Sequence, residues 1–161
     1  MDLTEREDNF NRKRGEILRI ALNIESFFDF TITTYFMGSP IGQTPFENES
    51  GKRAFFQEGI AYNLKFELKR QIFEQICKRK DLSKEKIKEI MDKINFIHDL
   101  RNKVAHDDMR RTDSEGPYLV KRDSLTPYKY KLYLTDELME KTKKMHREII
   151  DEIFKLTDRP F

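Results

Sequence analysis

This chain of 161 residues has little of what small functional sites are often built from: one cysteine, no tryptophan, three histidines, six glycines and five prolines. The single thiol, Cys77, excludes an internal disulfide and any cysteine-based zinc site. The three histidines lie far apart in sequence, so neither a metal centre nor a cofactor is expected. No apolar run approaches the roughly 20 residues needed to cross a bilayer. The first residues, MDLTEREDNFNRKR, are charged rather than apolar and do not read as a signal peptide. The expectation is a soluble cytoplasmic protein with no membrane partner. A charge imbalance is also missing. Net charge is +2, so any nucleic-acid site must be a local basic patch.

What is present is charge of both signs and aromatic residues. Charged residues make up 37% of the chain and apolar residues another 37%, which fits helices with narrow buried stripes and wide polar faces. Thirteen Phe and six Tyr supply much of the core. The length predicts one domain over residues 1–161.

Four helical stretches are legible. The first runs from near Phe10 to Phe36, with a stripe of Ile17, Ala21, Ile24, Phe28, Ile32 and Tyr35. Glu25 lies in this helix, either as a solvated edge residue or as the partner of a cation across a helix contact. Gly38 to Gly51 reads as a long loop, rich in Gly, Pro and small polar residues. The second helix covers Arg53 to about Lys80 in two pieces, breaking near Gly59, with Ala54, Phe55, Leu64, Leu68, Ile72 and Ile76 on its apolar side. Lys65, Lys69, Arg70, Lys78, Arg79 and Lys80 form a basic face, read as solvated or as a wall beside an RNA cleft. Ser83 caps the third helix, which runs to about His106, with Leu82 and Ile87 placed as a hydrophobic staple. A loop is expected from Asp107 to Gly116-Pro117. Tyr118–Leu134 switches to an alternating period and predicts a β-hairpin turning at Asp123–Pro127. The last helix follows a Thr135 cap and ends near Leu156, with Leu138, Met145, Ile149, Ile153 and Leu156 on its stripe. The fold class is therefore all-α: a four- to five-helix bundle with a small β-hairpin before the last helix.

One segment, NFIHDLRNKVAHDD over Asn95–Asp108, carries the functional signal. Ile87, Ile90, Ile94, Ile97 and Val104 form an apolar seam in which Arg101 occupies the position that continues the period. A charge there is costly unless it is paired or works at a site or subunit contact. Asn102 follows, and His106 stands five residues after the arginine. The spacing alone means little, because roughly 0.7 such Arg–His pairs arise by chance in a chain of this composition. On an ideal helix the two side chains also diverge by roughly 140°, so they meet only if the last turn tightens or a second subunit completes the set. Their chemistry nonetheless suits RNA. Imidazole moves protons near neutral pH, guanidinium grips phosphate through a planar fork, and an amide orients either. The competing reading makes Arg101 a buried partner of a carboxylate such as Glu25, and His106 a helix C-cap. Asp107–Asp108 read as a helix stop or a weak carboxylate pair, and Tyr118 and Tyr128 as hairpin packing or base-stacking platforms.

RNKVAH after an Ile/Phe-rich helix resembles the signature of HEPN domains. ALNIESFFDFTITTYF resembles their first helix and LKFELKRQIFEQI their second, and the hairpin before the last helix occurs in several branches. The resemblance implies a helical bundle that dimerises with its motif helices facing each other. It also implies a metal-independent endoribonuclease of toxin–antitoxin or antiviral type, leaving 2′,3′-cyclic phosphate ends. Arg101 and His106 would be the catalytic pair, with Asn102 the polar residue beside the arginine. The alternative within the family is a non-catalytic module that binds a nucleotide or a partner protein, such as a nucleotidyltransferase antitoxin.

Overall fold

The computed structural model describes residues 2–38, 47–112, 116–121 and 130–157. Five α-helices and a three-stranded antiparallel sheet make up the described residues: α1 Leu3–Met37, α2 Glu47–Gly59, α3 Phe66–Arg79, α4 Lys84–His106, β1 Asp108–Thr112, β2 Gly116–Val120, β3 Lys131–Leu132 and α5 Asp136–Thr157. The mostly helical class and the strands before the last helix match expectation. The chain divides into two compact units, one of residues 1–22 with 94–146, the other of residues 23–93 with 147–161. Among the described residues, no helix is long and apolar enough to cross a membrane.

In the first unit, α1 begins seven residues earlier than its apolar stripe predicts. Asp2 and Glu5 explain this. The Glu5 amide donates to Asp2 Oδ1 at 2.8 Å and the Asp2 amide to Glu5 Oε2 at 3.1 Å, a reciprocal cap that satisfies two orphan donors. Phe10 and Ile17 of α1 pack with Leu100 and Val104 of α4, Leu119 of β2, Leu134 just before α5 and Met139 in its first turn. Each such side chain contributes about 1.5–3 kcal/mol by leaving water. Thr135 caps α5 as expected, accepting from the Leu138 amide at 3.1 Å.

The sheet corrects two expectations. Residues 108–112, read as loop, are strand β1, paired with β2 from Asp108↔Val120 to Thr112↔Gly116. All but the last of its residues are exposed, so it lacks the apolar alternation that marks a strand. The predicted hairpin pairing survives as β2–β3, with Leu119 opposite Leu132. Its expected turn at Asp123–Pro127 lies outside the described residues. Strand β2 does not alternate either: Tyr118, Leu119 and Val120 are all buried. Tyr118 packs 5.5 Å from the Tyr133 ring with Lys131 Nζ over its face at 4.8 Å, so it is a packed hairpin residue and not an open stacking platform. Tyr128 lies outside the described residues.

In the second unit, Phe28 of α1 stacks on Phe73 of α3 with ring centres 4.8 Å apart. Phe27 meets Phe154 of α5 edge to face at 5.3 Å. The expected loop at 38–51 is shorter than predicted, since α2 begins at Glu47; residues 39–46 are outside the described set. Gly38 closes α1 at φ +82°, a left-handed conformation that glycine adopts without strain. The break near Gly59 is real and holds a 3₁₀ turn, Ala61–Asn63. Ser83 caps α4, accepting from the Lys86 amide at 3.2 Å.

The basic face of α3 contains the largest misreading. Lys69, expected to be solvated, is 1% exposed. Its Nζ lies 2.7 Å from Asp29 Oδ1 and 3.3 Å from Glu25 Oε1, both on α1. Glu25 therefore does meet a cation across a helix contact, but the cation is Lys69 and not Arg101. Burial pushes the Asp29 carboxyl above its ordinary value, and the hydrogen bond and charge of Lys69 oppose that rise. Conversely, Phe55 and Leu68, expected on the apolar side, are exposed.

Candidate functional site

Helix α4 carries the candidate residues on its last two turns. Its apolar seam is unbroken, because Leu100, 5% exposed, fills the position between Ile97 and Val104. Steps of three and then four residues run through Leu100; steps of four and then three run through Arg101. Both fit a helical period, and the structure takes the first. Arg101 is half-buried beside the seam, so its expected core-facing register is corrected.

Arg101 Nη1 donates to Asn102 Oδ1 at 3.1 Å. The Asn102 Nδ2 in turn lies 3.4 Å from His98 Nδ1. His98, Asn102 and His106 stand at i, i+4 and i+8, so each is rotated by only about 40° from the last and all three share one stripe. His106 closes the helix and is exposed.

The last turn does not tighten, which was one of the two ways for Arg101 and His106 to meet. The helix stays regular through His106, and the Asp107 amide donates to the Lys103 carbonyl at 2.9 Å. The orphan Val104 carbonyl accepts from Arg14 Nε of α1 at 2.8 Å, a cation placed favourably at a helix C-terminus.

A cavity of about 450 Å³ opens at this helix end. Asp99, Asn102, Lys103 and His106 of α4 line one side. Asp107 and Asp108 line the junction into β1, with Lys121 after β2 and Tyr130 before β3 opposite. The structure thus brings Asn102 and His106 to one cavity and ties Asn102 to Arg101, but Arg101 is not among the lining residues. Tyr130 Oη donates to Asp107 Oδ2, and Lys103 Nζ sits 5.1 Å over the Tyr130 ring. Burial and the neighbouring carboxylate both push the Tyr130 phenol upward, so it holds its proton. The lining carries three carboxylates and two ammonium groups besides His106, so its charge is mixed.

His98 plays no part in the Arg101–His106 spacing, so that spacing leaves it out of the candidate set. The i, i+4, i+8 spacing with Asn102 between was the signal that could have found it. Lys121 and Tyr130 left no such signal, since only the sheet brings them to the helix end. Among the described residues, no group of three or more His, Cys, Asp or Glu side chains is placed to hold a metal ion. No protein-family model, curated protein or solved structure matches the chain.

Proposed function

We propose that the chain is a metal-independent endoribonuclease of the HEPN type, with a composite Arg101/His106 site shared between two copies. The observation that carries this reading is Asn102, which accepts from the Arg101 guanidinium while lining the cavity where His106 stands. In this reading His106 takes the proton from a ribose 2′-OH, and the 2′-oxygen attacks phosphorus. The 5′-oxygen leaves with a proton from His106 of the second copy, giving a 2′,3′-cyclic phosphate and a 5′-hydroxyl. Arg101 stabilises the charge that builds on the phosphorane. Arg101 stands outside the lining of the cavity that holds His106, which supports a site completed by a second copy. A cytoplasmic toxin or antiviral role would follow from this chemistry.

The test is incubation with tRNA and mRNA in EDTA. The wild type should cut and leave cyclic phosphate ends. Arg101→Ala and His106→Ala should each lose cleavage by ~10²-fold or more while unfolding near the wild-type urea midpoint. Mixing the two inactive variants should leave cleavage well below wild type, because a mixed dimer keeps one His106 where the mechanism uses that of both copies. Inhibition by EDTA, full activity in either variant, or full recovery on mixing counts against the proposal.

A second reading is a non-catalytic module that binds a nucleotide or a partner protein such as a nucleotidyltransferase antitoxin, and the three carboxylates at the cavity favour its partner-protein form, since they repel a nucleotide's phosphates. Replacing Asp107 and Asp108 with Asn separates the two. A ribonuclease should bind RNA more tightly once two negative charges are removed, whereas a module that recognises a cationic partner should lose that partner.

A further inference from the structure

We infer that His98 is a positioning residue that locks the Asn102 amide and, through it, the Arg101 guanidinium. The argument starts from donor and acceptor inventories. A guanidinium has only donors, so the Asn102 atom facing Arg101 Nη1 at 3.1 Å must be the amide oxygen. That leaves the amide nitrogen, a donor, turned toward His98 Nδ1 at 3.4 Å. The contact is favourable only if Nδ1 carries a lone pair, so the neutral His98 must hold its proton on Nε2. The contact is at the long end for a hydrogen bond, and the i, i+4 spacing on a regular helix holds the two groups in reach.

The consequence is directional. With His98 in place, the amide cannot rotate without setting its nitrogen against the guanidinium and its oxygen away from it. Without His98, only the Arg101 contact opposes a flip of the amide, so the acceptor that Arg101 uses is held less firmly. His98 is not among the residues lining the cavity, so it acts through Asn102 and not on a substrate. Only the activity arm below rests on the ribonuclease reading; the hydrogen-bond arm does not.

The test uses the full-length chain labelled with ¹⁵N. Long-range imidazole spectra near pH 7.5 should show His98 as the Nε2–H tautomer; an Nδ1–H tautomer overturns the inference. His98→Ala should shift the Asn102 side-chain amide and Arg101 Nε–H signals. His98→Asn, which offers an acceptor near the place of Nδ1 without a titrating group, should return them toward wild type. Signals unmoved by His98→Ala, or equally moved by both variants, overturn it. In RNA cleavage, His98→Ala should lower kcat by ~10-fold or more with little change in KM, because a misplaced catalytic group is costly, and His98→Asn should recover most of that loss. A wild-type kcat in His98→Ala, or no recovery in His98→Asn, counts against positioning. If the wild type cuts no RNA, the ribonuclease reading falls and the spectra alone decide the role of His98.

Discussion

Lys69 of α3 and Arg101 of α4 are both cations beside an apolar helix seam, yet the protein uses them in opposite ways. Lys69 is sealed in, 1% exposed, with Asp29 and Glu25 of α1 around its ammonium group. Arg101 stays half-exposed, and its one described hydrogen-bond acceptor is the neutral Asn102 amide next to it. A buried charge held by carboxylates is committed to the fold. A guanidinium held by an amide keeps most of its charge available to an anion. Pattern alone had these roles reversed.

The comparison can be broken most forcefully at Lys69. Lys69→Ala strands Asp29 in the interior and should cost about 3–5 kcal/mol in urea unfolding. Pairing Lys69→Met with Asp29→Leu should recover much of that loss, because neither charge remains buried. A loss below about 1 kcal/mol in the single variant would show that the cluster contributes little to stability.

The next effect sets two neighbours on α4 against each other. Leu100→Ala should cost about 2–5 kcal/mol by opening a cavity in the core, whereas Arg101→Ala should cost less than about 1 kcal/mol. Equal losses would return Arg101 to the seam.

The smallest effects are the pH dependences, and their signs differ. Burial raises the Asp29 carboxyl above its ordinary 3.8, so the folded state binds that proton more tightly than the unfolded chain. Its contribution to stability therefore falls as pH rises from 3.8 through the folded value. His146 behaves oppositely. Burial, helped by Arg19, lowers it below its ordinary 6.5, so the unfolded chain binds that proton more tightly. Its contribution is intact above pH 6.5 and is lost as pH falls through the folded value. Urea midpoints across pH 4–8 should show a shallower decline on the acid side of 6.5 for His146→Gln than for wild type; matching profiles would show no linkage at His146.

Where local signals were strong, the sequence was readable. The caps at Ser83 and Thr135 and the α5 stripe of Ile149, Ile153 and Leu156 follow from residues within a few positions of each other, and the β2–β3 pairing from two neighbouring alternating stretches. The misreadings arose where a distant partner decides. Lys69 looks like any lysine on a basic face until α1 brings Asp29 from 40 residues away. Strand β1 has one apolar residue, the exposed Met109, and is a strand because β2 pairs with it. At the candidate site, helical spacing placed Arg101, Asn102 and His106 near one helix end but could not choose between Leu100 and Arg101 for the core. The far wall of the cavity, Lys121 and Tyr130, depends on the sheet and had no counterpart in the spacing.

The junction after α4 is a single residue. His106 ends the helix, Asp107 follows, and Asp108 already opens β1 opposite Val120. Such a joint has no slack for insertions or deletions. One residue added there must either wind the helix onward and carry His106 around its axis, or slide β1 by one position and turn every side chain of that strand to the opposite face. Asp107 is further pinned by Tyr130. Chain length at residue 107 is therefore as much a part of the candidate site as the identity of its side chains, and this should be the point where the protein tolerates a change of length least.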